Sequence, residues 1–600
     1  MTNYQAPLRD IRFTMDELLD YPAHYASLPG AEEATPDLVS MVLEEGAKFA
    51  SQVAAPLNRE ADEVGCVWNS GEVITPPGFK GAWQQLCDAG WMGLSQSKQY
   101  GGQELPKSLN TVFGEMLSTA CIPFGLIVAS SEGALATLQA WGSEEQKKSY
   151  AYKLVAGQWA STMCLTEAHC GSDLGLMRTK AKPANDGSYR ISGTKVFISQ
   201  GEHDLTGNIV HFVLARLPDA PAGTKGISLF IVPKFLNDDA GEMGERNNVH
   251  CGSIEQKMGM HGSPTCVMNF DGATGYLIGP PNRGLNCMFA FINHSRVGVA
   301  QQGMTHAEFG FQRSLIYARE RLQGRSPRGP KNPGGPADPL IVHPDVRRLL
   351  LTQKCFSEGG RALIYYLAQL LDIVEKSQDQ MARKRAEGLL GLLTPIAKAF
   401  LTETGFESAN MALQCFGGHG YIREWGVEQN VRDSRIATIY EGVTAIQALD
   451  LISRKILMDN GENLAIFTNE IYQFCQANGN TQVSAELSQV LVNYCDEWHH
   501  LAKQIGTAGA SNADELGAAA VDFLMYSGYL VLGYFWARSA STAQKALDEG
   551  VSDTDFYHAK IKTAAFYFKR VLPRTRGHAA SMAGGAESLM ALDAEHFALG

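Results

Sequence analysis

Residues 188–200 read SYRISGTKVFISQ, and four neighbouring runs are built alike: TMCLTEA (162–168), IVHFVLARL (209–217), GISLFIVP (226–233) and CVMNFDGATGYLIG (266–279). Each is short, rich in β-branched and aromatic residues, and bounded by Gly, Asn or Pro. Many alternate in polarity, as a half-buried strand does. Residues 161–280 are therefore expected to form a small antiparallel β domain. The sequence on either side has another period. Upstream, MVLEEGAKFASQVAAPLNREADE (41–63), GAWQQLCDAGWMGL (81–94) and LNTVFGEMLSTACIPFGLIVASSEGALATLQAWG (109–142) space their apolar residues as helices do. Thr14 and Glu17 have the spacing of a capping box ahead of LLDY. Downstream, LNCMFAFINHSRVGVAQQGMTHAEFGFQRSLIYARERLQ (285–323) restores the helical pattern, which continues to about residue 457. One Gly/Pro-rich loop, GRSPRGPKNPGGPADP (324–339), interrupts it.

A further helical stretch follows NGENL and runs to the end of the chain. The expected architecture is α+β and multidomain: a helical domain with a short N-terminal extension (1–160), a β domain (161–280), a helical domain (281–460) and an extra helical domain (461–600). A chain of 600 residues is too long for one core, so several units are expected on length alone.

Composition narrows the partners. The net charge of −12 repels nucleic acid on average, so no nucleic-acid partner is expected. The 12 cysteines are scattered, without a C-x-x-C pair or a Cys/His cluster at metal-ligand spacing, which reads as reduced thiols in a cytoplasmic protein and no metal site. The N-terminus has no basic flank followed by an apolar core, so no signal peptide is expected. The longest apolar run, FLMYSGYLVLGYFWA (523–537), reads as a buried helix rather than an integral membrane segment, with peripheral membrane contact as a minor alternative. A strand–GxGxxG–helix fingerprint, a Walker A loop, HExxH and GxSxG are all absent, and GGHGY (417–421) follows a helical stretch.

Three segments carry candidate chemistry. In CLTEAHCGSDLGLMRTKA (164–181) a strand end is followed by Gly171 and Ser172, which can present backbone N–H groups and hydroxyls to a ligand; alone it reads as a Gly-Ser turn. In KVFISQG (195–201), Phe197 and Ser199 stand two apart in a strand and so share a face, although ordinary strand packing accounts for this equally. In LQCFGGHGYIREWGVEQNVRDSRIATIYEGVTAIQALDL (413–451), Glu441 lies in an apolar run beside Gly442. Such a carboxylate is either ion-paired structurally or a general base raised by desolvation.

Taken in order, these segments resemble the acyl-CoA dehydrogenase family over most of residues 40–457. The family pattern T-E-(P)-x-x-G-S-D, K-x-(W)-I-(T/S), an Arg at a helix start, Q-x-x-G-G-x-G-(Y/F) and R-D-x-x-I-x-x-I-Y-E-G is visible throughout. The opening YQAPLRDIRF and the tail FYFKRVLPRTRGHAASMAGGAESLMAL are similar to its long bacterial branch, which includes 3-methylmercaptopropionyl-CoA dehydrogenases and long fatty-acyl-CoA dehydrogenases of β-oxidation.

The resemblance implies FAD as cofactor, an acyl-CoA substrate, an electron-transfer flavoprotein as acceptor, and a homo-oligomer, a dimer first, because each FAD touches two chains. It makes Glu441 the base that removes the α-proton. Leu165, Thr166, Gly171, Ser172, Phe197 and Ser199 match flavin-contacting positions. Arg321, Gln323, His343, Gln414, Cys415 and Gly418 match positions around the pyrophosphate and adenosine. Ser172, Asn293, Arg296 and Gly442 match substrate-side positions. Phe197 replaces the usual Trp, Ser199 the usual Thr, and Ala168 a common Pro; Val443 and Ala445 replace polar residues. Arg325, Arg328 and Lys331 in the long loop are either phosphate-holding cations or solvated charges. An acyl-CoA oxidase and a DNA-associated flavoprotein share the architecture; rapid peroxide formation would mark the first and duplex DNA binding at low salt the second. A catalytically dead flavin scaffold is disfavoured by the retained Glu441.

Overall fold

The computed structural model describes residues 4–238, 241–478 and 482–598. By its internal contacts the chain divides into two compact units: residues 33–298 with the first six residues, and residues 299–600 with residues 7–32.

The first unit contains the β region. A small hairpin, β1 (Val67–Asn69) and β2 (Glu72–Ile74), precedes it; the expected all-helical N-terminal stretch lacked it because three-residue strands leave almost no periodic signal. The main sheet comprises β3 (Trp159–Cys164), β4 (Lys180–Pro183), β5 (Tyr189–Ser199), β6 (Asn208–Arg216) and β7 (Ile227–Pro233). A separate two-stranded ribbon of β8 (Phe235–Asn237) and β9 (Met243–Arg246) follows, before β10 (Val249–Ile254) and β11 (Thr265–Ile278) complete the main sheet.

Pairings run β11–β5, β5–β4, β4–β6, β6–β7 and β7–β11, so five strands close on themselves, with β10 on β11 and β3 on β6. The sheet is mixed rather than purely antiparallel, because β3 and β4 both pair parallel to β6.

Its two cores explain why β6 and β7 read as continuous apolar runs. Val210, Phe212 and Leu214 of β6 and Leu229 and Ile231 of β7 pack with Leu135, Leu138 and Leu154 of the helices Ile122–Trp141 and Glu144–Val155. Val213, Ala215, Phe230 and Val232 face the other way, toward Ile191, Ile198, Met268 and Phe270. Strands buried on both faces do not alternate.

In the second unit the helices Pro344–Lys376 and Gln380–Phe416 pack together with Asp514–Asp548. Among the described residues, Asp514–Asp548 alone is long and apolar enough to cross a membrane by length and composition, and 67% of its apolar window is buried in the structure. Gly528 lies against the Phe400 ring, where a Cβ would collide with the aromatic carbons, so close helix packing requires the glycine.

Residues 7–32 belong to this unit through a buried charge cluster. Asp10 pairs with Arg361 and Lys560; Lys560 also donates to Glu358 (2.8 Å), and Arg361 to Glu308 (3.1 Å). Thr14 caps nothing: it sits within a π-helical stretch, Phe13–Leu18, and its hydroxyl donates to the Asp10 carbonyl (2.9 Å), so the expected capping box is not formed. The cysteines are all free thiols, ten of them buried.

Candidate active site

The candidate residues fall into three groups, one in the first unit and two in the second; Asn293 and Arg296 belong to the first unit, on the helix Gly284–Glu320.

In the first unit the segment 165–172 leaves β3 and turns on a bridge in which Glu167 and Cys170 exchange backbone hydrogen bonds of 2.9 Å. The N–H of Val196 donates to the Thr166 carbonyl (3.0 Å), tying this turn to β5. Beneath it lies an ion pair. Lys195, fully buried, donates to the Leu165 carbonyl (2.9 Å) and to Glu167 (3.0 Å). Glu167 also accepts from the N–H groups of Arg178 (2.8 Å) and Thr179 (3.0 Å) and from the Thr179 hydroxyl (2.6 Å). Burial pushes the Glu167 carboxyl up, but the Lys195 charge and these donors outweigh it and hold it at about 2. Burial lowers the Lys195 ammonium, with Glu167 opposing.

The strand at Phe197 is not regular. The partner of Ile198 is Cys266 and that of Lys195 is Met268, so β5 carries one extra residue there. Phe197 adopts φ +60°, a left-handed conformation rare for a bulky aromatic, and is 62% exposed. The bulge puts Lys195 and Ile198, three apart, on the buried side. Simple alternation therefore fails between Lys195 and Ile198, and the shared face inferred for Phe197 and Ser199 from regular strand geometry has no such basis. Gln200 is left-handed as well, at φ +53°.

Asn293 is exposed and Arg296 half-buried on the helix Gly284–Glu320. Near them in sequence is His294, which Lys107 at 3.4 Å and burial hold neutral.

In the second unit Glu441 and Gly442 form a turn between the helical stretches Arg435–Thr438 and Thr444–Leu449, with φ of +55° and +92°. Glycine suits the second position because φ +92° strains any L side chain, and a Cβ there would also displace the Gln447 amide, whose nitrogen it would approach within 2.6 Å. The turn is held from several sides. Lys398 donates to the Gly442 carbonyl (2.7 Å), Gln447 to the Glu441 carbonyl (2.9 Å), and the Thr444 hydroxyl to Glu403 (2.6 Å). The Tyr440 hydroxyl donates to Gln302. Burial and then the neighbouring Glu441 charge push the Tyr440 phenol well up, so it remains a neutral donor.

The third group surrounds the end of helix Gln380–Phe416. Gln414 and Gly418 are exposed, as are Arg321 and Gln323 past the end of helix Gly284–Glu320, and the His343 ring meets the Gln323 carbonyl at 2.7 Å. The Cys415 side chain is different: it packs with Ala318, Leu349, Leu350 and Met411, so a ligand can meet this residue only through its backbone.

Arg325 is likewise committed, to the carbonyls of Asn332 (2.9 Å) and Gly335 (2.6 Å) and to Asp338. Desolvation pushes Asp338 up, but the N–H groups of Ser326, Asn332 and Lys331 and the Arg325 guanidinium hold it at about 2. Arg325 therefore builds the loop and is unavailable to a phosphate, while Arg328 and Lys331 are exposed.

Lys195, Lys398, Gln447 and Gln302 escaped the sequence reading. Lys398 left a signal, a single charge inside the apolar run PIAKAFL.

FAD needs an apolar or aromatic face for its ring and donors along the ring edge. Phe197 offers the first. The hydroxyls of Thr166, Ser172 and Ser199, which make no hydrogen bond among the described residues, offer the second. The residues fit the cofactor.

Four family profiles cover the chain in order: acyl-CoA dehydrogenase N-terminal domain (residues 37–158), middle domain (162–273) and C-terminal domain (282–457), then acetyl-CoA dehydrogenase C-terminal like (467–593). The chain belongs to the acyl-CoA dehydrogenase family. It is 40% identical over 592 residues to the 3-methylmercaptopropionyl-CoA dehydrogenase of Ruegeria pomeroyi, covering 98% of this chain and 99% of that one. It is 34% identical over 592 residues to the broad-specificity linear acyl-CoA dehydrogenase FadE5 of Mycobacterium tuberculosis, covering 96% of each. In fold it is similar to the FAD-complexed acyl-CoA dehydrogenase of Bacillus anthracis, with TM-score 0.72 and 20% identity over 95% of this chain and 91% of that one.

Proposed function

We propose that this chain is an FAD-dependent acyl-CoA dehydrogenase that oxidises a short acyl thioester to its trans-2-enoyl form, with 3-methylmercaptopropionyl-CoA as the first substrate to test. The observation that carries the reading is the Glu441–Gly442 turn, in which a carboxylate residue is left-handed, the two turn carbonyls accept from Gln447 and Lys398, and the flanking Tyr440 and Thr444 are anchored to Gln302 and Glu403. Strain of this kind survives only where the surroundings over-determine it, and it concentrates at functional sites.

The α-proton of a thioester is too weakly acidic for a free carboxylate to remove, so the site must also stabilise the enolate oxygen. In this reading the Glu441 carboxylate takes the α-proton while its own backbone N–H donates to the thioester oxygen. Gly442 keeps side-chain atoms away from the ligand. Bound FAD supplies the hydride acceptor for Cβ. Phe197 covers the ring, and Thr166, Ser172 and Ser199 donate along its edge. Arg321, Gln323, Gln414 and the Gly418 backbone serve the pyrophosphate and adenosine, with His343 beside them, in a homodimer that passes electrons to an electron-transfer flavoprotein. Arg296 and Asn293 face the substrate.

The near full-length similarity to a 3-methylmercaptopropionyl-CoA dehydrogenase, and 32% identity over 610 residues to a butyryl-CoA dehydrogenase of Syntrophomonas wolfei, support the short acyl class. An anaerobic panel of butyryl-, 3-methylmercaptopropionyl-, octanoyl- and palmitoyl-CoA, scored by flavin bleaching, tests it. Fastest bleaching by the two short esters is expected; bleaching by palmitoyl-CoA alone overturns the substrate class, and no bleaching by any ester overturns the activity.

A further inference from the structure

We propose that Lys398 is a positioning residue for the catalytic base: its buried ammonium pins the Gly442 carbonyl and so keeps Glu441 in the left-handed turn that aims both its carboxylate and its N–H. The inference rests on the role given to Glu441 above.

Lys398 lies in the helix Gln380–Phe416 among Ile396, Ala397, Ala399 and Phe400, all buried, and its own side chain is completely shielded from solvent. An ammonium in such surroundings is costly, and an apolar residue of similar volume would serve the helix packing better. Packing therefore does not account for it. Its 2.7 Å bond to the Gly442 carbonyl gives the ammonium a role that packing does not, because this is a charge-assisted bond to the backbone of a strained turn.

The turn needs such a restraint. Glu441 and Gly442 both have positive φ, and for a residue with a Cβ the right-handed region is the more comfortable one. Gln447 holds the Glu441 carbonyl from the C-terminal side. On the N-terminal side Tyr440 is anchored to Gln302, which contacts His306, and His306 bonds to Asn430 at 2.7 Å. From the helix Gln380–Phe416, Glu403 accepts from the Thr444 hydroxyl and Lys398 donates to the turn itself, the one cation of this set. Removing it leaves the Gly442 carbonyl with only the long 3.4 Å contact from Gln447, which loosens ψ and φ of Gly442 and, through the shared peptide, ψ of Glu441.

The test compares wild type with Lys398→Met, a replacement of similar length that leaves no buried charge, using two independent readouts. The first is hydrogen–deuterium exchange of the peptide spanning 439–449 in the FAD-bound protein. The second is the rate of anaerobic flavin reduction by the best acyl-CoA of the panel, set against the dissociation constant of an unreactive acyl-CoA thioether. Faster exchange confined to that peptide, a reduction rate about a hundredfold lower, and unchanged FAD content, thioether affinity and melting temperature are expected. Unchanged exchange, or a rate within threefold of wild type, overturns the proposal. So does a parallel loss of FAD and melting temperature, which would make Lys398 a packing residue. Gln447→Leu, which removes the companion donor, is expected to give the same pattern more weakly; it decides the matter if Lys398→Met is insoluble, with the same outcomes for and against. If wild-type flavin is not bleached by any ester, the exchange arm still judges the restraint while the activity reading fails separately.

Discussion

Glu167 and Lys195 permit a prediction whose size follows from their surroundings. Both side chains are buried, the lysine completely, and they meet at 3.0 Å. Glu167→Gln leaves an ammonium with the Leu165 carbonyl and a neutral amide as acceptors. An uncompensated buried charge costs about 3–5 kcal/mol. Lys195→Met leaves a carboxylate that still has the two N–H donors and the Thr179 hydroxyl, so its cost is at the lower end of the same range. The double variant has no buried charge and loses only hydrogen bonds, each worth about 1 kcal/mol.

At about 2–4 °C per kcal/mol for a unit of this size, the first unit in Glu167→Gln should melt roughly 6–20 °C lower, and the double variant should recover most of that loss. Differential scanning calorimetry at pH 7 of the two single variants, the double variant and wild type measures it. The Glu167 carboxyl is held at about 2, below its ordinary 4.5, so its stabilising contribution is complete above pH 4.5 and fades as pH falls from there toward 2. Wild type should therefore lose melting temperature across that window faster than the double variant does. Additive losses, with the double variant as unstable as the two singles summed, would refute the reasoning.

Other variants probe separate parts. Gly442→Ala places a Cβ 2.6 Å from the Gln447 amide at φ +92°, and steady-state assay should find turnover reduced about a hundredfold with FAD content unchanged. Lys560→Met removes a cation that Asp10 and Glu358 share; limited proteolysis should cut within residues 7–32 faster, with melting about 3 kcal/mol less favourable. Asp338→Asn weakens the hub of the 324–339 loop, so proteolysis there should accelerate while acyl-CoA affinity, measured by flavin spectral titration, stays the same.

Much of the fold was legible because it depends on periodicity. The strands of 161–280 and the long helices announce themselves through spacing, and β6 and β7 through continuous apolar runs. Ring closure was not legible, because β7 joins β6 to β11 through pairings that no local pattern encodes. The Thr14 capping box failed for a related reason: Asp10, ten residues from the chain start, is drawn into a buried cluster with Arg361 and Lys560, and the backbone continues helically through Thr14. At the candidate site, Glu441 stood out as a carboxylate in an apolar run. What restrains it, Lys398 and Gln302, lies 43 and 139 positions away in the sequence, respectively, and only folding brings them to the turn. The bulge at Phe197 was hidden for the opposite reason, being a one-residue slip against β11 within a run of ordinary strand composition.

The base assignment is tested most directly by stopped-flow anaerobic mixing of Glu441→Gln with butyryl-CoA and 3-methylmercaptopropionyl-CoA. The variant should retain yellow FAD and bind both esters, and its flavin should stay oxidised on the timescale in which the wild-type flavin bleaches. Flavin reduction by Glu441→Gln at the wild-type rate would mean that another group removes the proton.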